Sequence, residues 1–248
     1  MSKKINFSIE SWSAWSSSKR LRSDWIDWAC GNSFSTSSIP PDFSQIPAMK
    51  RRRMSSLSKM AVTTGINCLS ESQSHPKCVF ASRHGELTRT VKILESIANQ
   101  EDISPTDFSL SVHNTSLGLF SILTQNKQPA TTVAGGVDTF GYGLLESCVL
   151  MSRFPDSKVL FVYHDEPLPD KYSEFKFGPK ESICIALLLS WNENVLSGAN
   201  TNVSMSMKER ATGSDEERDL GESFLKHYLS GAENSVVDGQ SRQWVWGR

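Results

Sequence analysis

An α/β protein is predicted: a mostly parallel mixed sheet with covering helices in βαβαβ order. Two observations carry this. Between Pro76 and Asp165 strand-like stretches alternate with helix-like ones, and the run from Ile183 to Leu189 is apolar throughout, as a strand buried on both faces must be. At 248 residues, with 38% hydrophobic and 21% charged residues, the chain can bury a core without disulfides.

Taken in order, residues 5 to 10 alternate as a first strand. Trp12, Trp15, Trp25 and Trp28 then lie in Ser- and Arg-rich surroundings, read as a loop and short helix folded onto the body. Gly31 to Gln45, rich in Ser and Pro, reads as a surface loop. Met54, Leu57, Met60, Ala61, Thr64 and Cys68 fall at helical spacing behind a basic run, Lys50 to Arg53. A basic run opening a helix opposes the helix dipole, which points either to an acidic partner or to a solvated charge cluster. There follow a strand over 76–82, a helix over 86–100, an irregular stretch over 103–112 and a helix over 114–125. A short strand over 131–134, a helix over 137–151 and strands over 158–165, 182–190 and 202–207 come next. A polar helix over 217–230 precedes a tail whose Trp244 and Trp246 suit an edge strand or a partner-facing flap. The expected organisation is one domain over 1–248, with 1–45 an irregular N-terminal segment and 211–248 a C-terminal helix and tail.

Several classes are excluded on composition and spacing. With 26 basic and 27 acidic residues the net charge is −1, which gives no global attraction to nucleic acid or to an anionic membrane. No run approaches the ~20 apolar residues of a membrane span, and the N-terminus lacks a signal-peptide core, so a cytoplasmic protein is expected. The five cysteines show no metal-ligand spacing and read as reduced and mostly buried. Gly141 and Gly143 match neither a P-loop nor a dinucleotide loop, so no cofactor and no metal is expected.

The segment from Ala130 to Ser147 reads as strand, tight turn and helix, the elbow on which several enzyme families mount a nucleophile. Its apex, Ala134-Gly135-Gly136-Val137-Asp138, carries no Ser or Cys. Thr139 is expected to point away from the apex. Cys148 lies eleven residues beyond Val137, roughly 16 Å along a helix axis, and reads as core. Of the five histidines, His113 and His164 could line a cavity or serve structural hydrogen bonds. A stand-alone hydrolase or acyltransferase would need Ser111 or Ser116 paired with His113.

The stretch from Ile103 to Met151 resembles the N-terminal half of the β-ketoacyl synthases, members of the thiolase-fold superfamily. The resemblance rests on Ile103-Ser104-Pro105, Asn114, Gly118 inside the next helix, and Pro129 before the elbow strand. It extends less specifically upstream to Lys50–Ala61 and downstream to Glu181–Ser190. The family's nucleophilic Cys follows that proline by eight positions, where Val137 stands; a rival register places Val133 there. The family's second half, with its catalytic histidines and lysine, has no counterpart in this chain. The resemblance therefore implies a chain that does not condense acyl groups alone. It is similar to the chain length factors that pair with an active ketosynthase, and in its half size to the ketosynthase-like N-terminal domain proteins of aryl polyene clusters.

On that resemblance the expected partners are a full-length β-ketoacyl synthase and an acyl carrier protein. Thr131, Thr132, Val133, Ala134, Gly135, Gly136, His113 and Asn114 would lie at the heterodimer interface. Val137 and Phe140 would be inert filler of the tunnel end, and Thr106, Asp107 and Phe108 would gate the partner's tunnel or else form a surface loop. Arg51, Arg52 and Arg53 would dock the acidic carrier.

Overall fold

The computed structural model describes residues 4–34, 41–69, 75–175, 179–191, 202–210 and 219–248. Parts of the expected N-terminal loop (35–40) and the start of the polar helix (217–218) lie outside them. The strands are β1 (Ile5–Ser16), β2 (Lys77–Ala81), β3 (Ala130–Val133), β4 (Val159–Asp165), β5 (Ile183–Trp191), β6 (Asn202–Glu209), β7 (Asn234–Asp238) and β8 (Arg242–Gly247). The helices are α1 (Arg22–Ala29), α2 (Ala48–Arg51), α3 (Ser56–Leu69), α4 (Leu87–Ala98), α5 (Pro105–Ser109), α6 (Thr115–Thr124), α7 (Thr139–Arg153) and α8 (Leu220–Ser230). The strands form one sheet in the order β3-β2-β4-β5-β1-β6-β8-β7.

Strand period sorts the core into two layers. On β4 and β5, Val159, Phe161, Tyr163, Ile185 and Leu187 face α7, α8 and Trp25 of α1. Leu160, Val162, Cys184, Ala186 and Leu188 face α3 and α6 on the other side. β4 is buried throughout and β5 from Ile183 to Leu189, which is why that stretch of β5 is apolar without alternation. No helix among the described residues is long and apolar enough to cross a membrane.

Three expectations are corrected. The sheet is α/β and mixed, but parallel pairing is confined to β2 with β3 and β4; β5, β1, β6, β8 and β7 all pair antiparallel. A 3₁₀ turn over Asp170–Phe175, in place of a crossover α-helix, follows β4, and β5 returns antiparallel beside it. Residues 1–45 are not irregular throughout, because β1 runs on through Trp12 and Trp15 and lies between β5 and β6. Its register shifts between Ile9 and Ser11, so the buried positions step from Phe7 and Ile9 to Trp12 and Ala14. That bulge breaks the two-residue period and hides the continuity from the sequence. Finally, the tryptophans of the tail stand on neither an edge strand nor a flap. Trp244 and Trp246 lie on β8 between β6 and β7, fully buried and stacked at 5.9 Å, and β7 forms the edge.

Candidate functional site

The elbow is built as its sequence suggests, with β3 running through Ala134 and Gly135 into a 3₁₀ turn over Gly136–Asp138 and then α7. Gly136 has φ +60°, the left-handed region where a side chain is strained. A Cβ on Gly135 would come within 2.5 Å of the Tyr142 ring. Thr139 does not point away from this turn. Its hydroxyl accepts from the Gly135 N–H at 2.9 Å and donates to the Gly136 carbonyl at 2.7 Å, closing the turn on itself. Arg83 Nε, from the end of β2, donates to the same carbonyl at 3.2 Å.

The apex itself carries no Ser or Cys. Val137 is half-buried at the apex, and Val133 is the last, half-buried residue of β3. Phe140, expected beside the apex as tunnel filler, lies instead in the core, edge-on to Phe161 and Tyr163. The helix turns it under the sheet three residues past the apex. Four of the five cysteines are buried and Cys30 is exposed. Burial pushes the Cys148 thiol up to about 12, which keeps it protonated and inert.

The histidines stay with structural roles. His113 Nε2 lies 2.8 Å from the Ser82 carbonyl, and the ring covers Gly85. His164 is buried against Phe80, and burial lowers its imidazole to about 3, so it is neutral. Neither expected serine pairs with His113. Ser111 Oγ donates to the Phe108 carbonyl at 2.8 Å, and Ser116 Oγ lies 3.1 Å from Ser58 Oγ. Among the described residues no cluster of three or more His, Cys, Asp or Glu could hold a metal.

Two other expected groups are brought together. Arg52 and Arg53 share a cleft of about 610 Å³ with Thr106 and Asp107, between the start of α3, α4 and α5. Arg51 turns away, its guanidinium donating to the Phe43 carbonyl at 3.0 Å. The basic run does not open α3: Lys50 and Arg51 close α2, where their charge complements the helix dipole. The stretch expected to be irregular holds α5, with Ser104 accepting from the Asp107 N–H at 3.3 Å and Pro105 in the first turn. Asp107 pairs with Arg89 of α4, while Phe108 is 66% exposed. None of the elbow residues lines this cleft. His113 and Asn114 follow α5 at the entry to α6, with Asn114 exposed.

Among the described strands, the one before the elbow lies at the edge of the sheet. Cys78 and Ser82 N–H groups of β2 bond the Pro129 and Val133 carbonyls. The alternate residues Ala130 and Thr132 therefore turn their backbone groups outward.

Sequence reasoning missed Asp138. It is 1% exposed and accepts from Ser241 N–H at 2.9 Å, Ser241 Oγ at 3.1 Å and Trp244 Nε1 at 2.8 Å, tying the elbow to the β7–β8 hairpin. An acid opening a helix is an ordinary signal, and its partners lie about a hundred residues away. Also missed was Asp165, which accepts from Ser82 Oγ at 2.9 Å and Arg83 N–H at 3.0 Å. Burial raises its carboxyl to about 7, and the neighbouring Asp219 adds to the rise.

The model of the β-ketoacyl synthase N-terminal domain matches residues 25–247, nearly the whole chain. The chain belongs to this β-ketoacyl synthase family. Among solved structures it is similar to a ketosynthase (ApeO) in complex with its chain length factor (ApeC) from Xenorhabdus doucetiae. That match has 31% identity and a TM-score of 0.84, covering 98% of this chain and 100% of the other. The ishigamide ketosynthase/chain length factor matches at 16% identity and TM-score 0.64, over 83% of this chain and 67% of the other. A type II acyl-carrier protein in complex with its ketosynthase matches at 12% and 0.61, over 84% and 70%. These last two show the thiolase-like fold alone. No curated protein sequence matches the chain.

Proposed function

We propose that the protein is a non-catalytic subunit that pairs with an active β-ketoacyl synthase as its chain length factor. The observation that carries this is the elbow itself: a complete strand, left-handed turn and helix with Val137 where an attacking atom would stand. Acyl transfer through a ketosynthase needs a thiolate to hold the chain and imidazoles to assist, and a valine at either candidate position forms no thioester. Similarity at 31% identity to a chain from a ketosynthase and chain length factor complex, matched over that chain's full length, supports the same role.

The open edge of β3 is the pairing surface in this reading, with Thr131 to Gly136, His113 and Asn114 at the contact. An unpaired edge strand presents free backbone donors and acceptors, which favours continuation of the sheet into a second subunit. Thr106, Asp107 and Phe108 gate the partner's acyl tunnel, and the exposed Phe108 ring is the side chain free to reach across. Arg51 to Arg53 dock an acidic acyl carrier protein, and the product is a polyene acyl chain of the aryl polyene type.

Co-expression with an active full-length β-ketoacyl synthase tests the reading. A stable one-to-one complex is expected, and condensation should depend on the partner's cysteine alone. Thr132→Pro removes an outward N–H while sparing the bonds to β2, so it should abolish the complex and leave this chain folded. A covalent acyl adduct on this chain, or a folded monomer indifferent to the ketosynthase, overturns the proposal.

A further inference from the structure

The cleft beside α5 gathers more positive charge than its carboxylates balance. Arg52, Arg53, Lys59 and Lys92 line it, and among the described residues none of the four takes part in an ion pair. Ion pairs do form elsewhere: Lys19 sits 3.2 Å from Glu181 and 2.9 Å from Glu222, and Lys158 pairs with Glu10. The cleft's own carboxylates are already engaged. Asp107 holds Arg89, and Glu166 accepts from the Thr88 hydroxyl at 2.5 Å. Behind them the buried Glu86 accepts from Ser55 and Ser58 and lies 3.5 Å from Arg89 Nε.

Five cations therefore face two carboxylates in one concave lining; Asp107 offsets Arg89 and Glu166 offsets Lys92 in part, which leaves an excess of positive charge. Ser55 and Ser56 at the start of α3 and Thr88 at the start of α4 face the same space. The positive ends of two long helices and the Ser56 hydroxyl are thus added to the cations, the Ser55 and Thr88 hydroxyls being spent on Glu86 and Glu166. We propose that this cleft binds a phosphate group. A tetrahedral dianion with several acceptor oxygens matches diverging guanidinium, ammonium and hydroxyl donors better than a single carboxylate does. The volume of about 610 Å³ leaves room for an organic group esterified to it. Arg89 and Asp107 line the cleft side by side as an ion pair, so an entering phosphate competes with Asp107 for the guanidinium. The inference does not rest on the subunit reading, since it concerns this chain and a small anion alone.

Calorimetric titration of the purified protein with inorganic phosphate, at an ionic strength held constant with chloride, tests it. Saturable binding absent with chloride is expected. The double variant Arg53→Gln with Lys92→Gln should weaken it about tenfold or more, the loss of about one charge-assisted contact. Its unliganded thermal stability should be unchanged or raised, because repulsion is relieved; loss of a structural contact would lower it. Asp107→Asn, which releases Arg89, should tighten binding, and Lys127→Gln outside the cleft should leave it unchanged. Tighter binding of glycerol 3-phosphate than of phosphate assigns a phosphorylated ligand, and equal or weaker binding assigns the free anion. Heats matching chloride, or a double variant that binds phosphate like the parent, overturn the proposal.

Discussion

Replacing Asp138 with Ala should loosen the C-terminal hairpin from the elbow. The carboxylate is almost wholly buried and receives three donors, the Ser241 N–H and hydroxyl and the Trp244 indole N–H. Ser241 is exposed, so its groups can recover water on losing the carboxylate. Trp244 is fully buried and cannot, which leaves its N–H orphaned. Hydrogen bonds to a charged acceptor contribute about 1.5–3 kcal/mol, and an orphaned buried donor costs a similar amount, so a loss of ~2–4 kcal/mol is expected. For a chain of this size that corresponds to a Tm lower by roughly 5–15 °C. Asp138→Asn keeps one acceptor oxygen and should lose about half as much. Urea unfolding followed by tryptophan fluorescence measures both, and near-UV dichroism should lose the signal of the stacked Trp244–Trp246 pair. An Ala variant within ~0.5 kcal/mol of the parent, the range of neutral surface changes, refutes the assigned role.

Asp165 and His164 give opposite pH dependences. The Asp165 carboxyl sits at about 7 in the folded protein, above its ordinary 3.8, so its contribution is present in acid and lost as pH rises from about 4 to 7. His164 sits at about 3, below its ordinary 6.5, so its contribution is full above about 6.5 and lost towards pH 3. Asp165→Asn should therefore gain stability relative to the parent between pH 4 and 7 and hold that gain above, which urea midpoints across pH will show. A thiol reagent should titrate only Cys30 in the native protein and all five cysteines in denaturant, because burial pushes Cys68 to about 11 and Cys78, Cys148 and Cys184 to about 12. In Gly141→Ala the new methyl would fall 2.3 Å from the Trp244 ring, forcing α7 off the sheet; a loss of about 1–3 kcal/mol in chemical denaturation is expected.

The sequence by itself determined the order of most elements, the elbow without a nucleophile, the buried Cys148 and the family. Each rests on short-range pattern: apolar runs, helical spacing, small residues at a turn, and the motif from Ile103 to Val137. Only the tertiary structure decided what depends on pairing across the chain. The bulge in β1 shifted the inward face by one residue, so Trp12 and Trp15 read as loop although they lie mid-sheet. Whether Trp244 and Trp246 sat at an edge depended on β7 returning outside β8, which no local signal specifies. Asp138 is an ordinary helix-opening acid until Ser241 and Trp244 are brought to it. Arg52 and Arg53 likewise became part of a cleft only because α4 and α5 fold over the start of α3 and bring Arg89, Lys92 and Asp107 beside them. Periodicity is carried by neighbours in the chain, whereas buried charge and cavity shape arise from residues far apart in it.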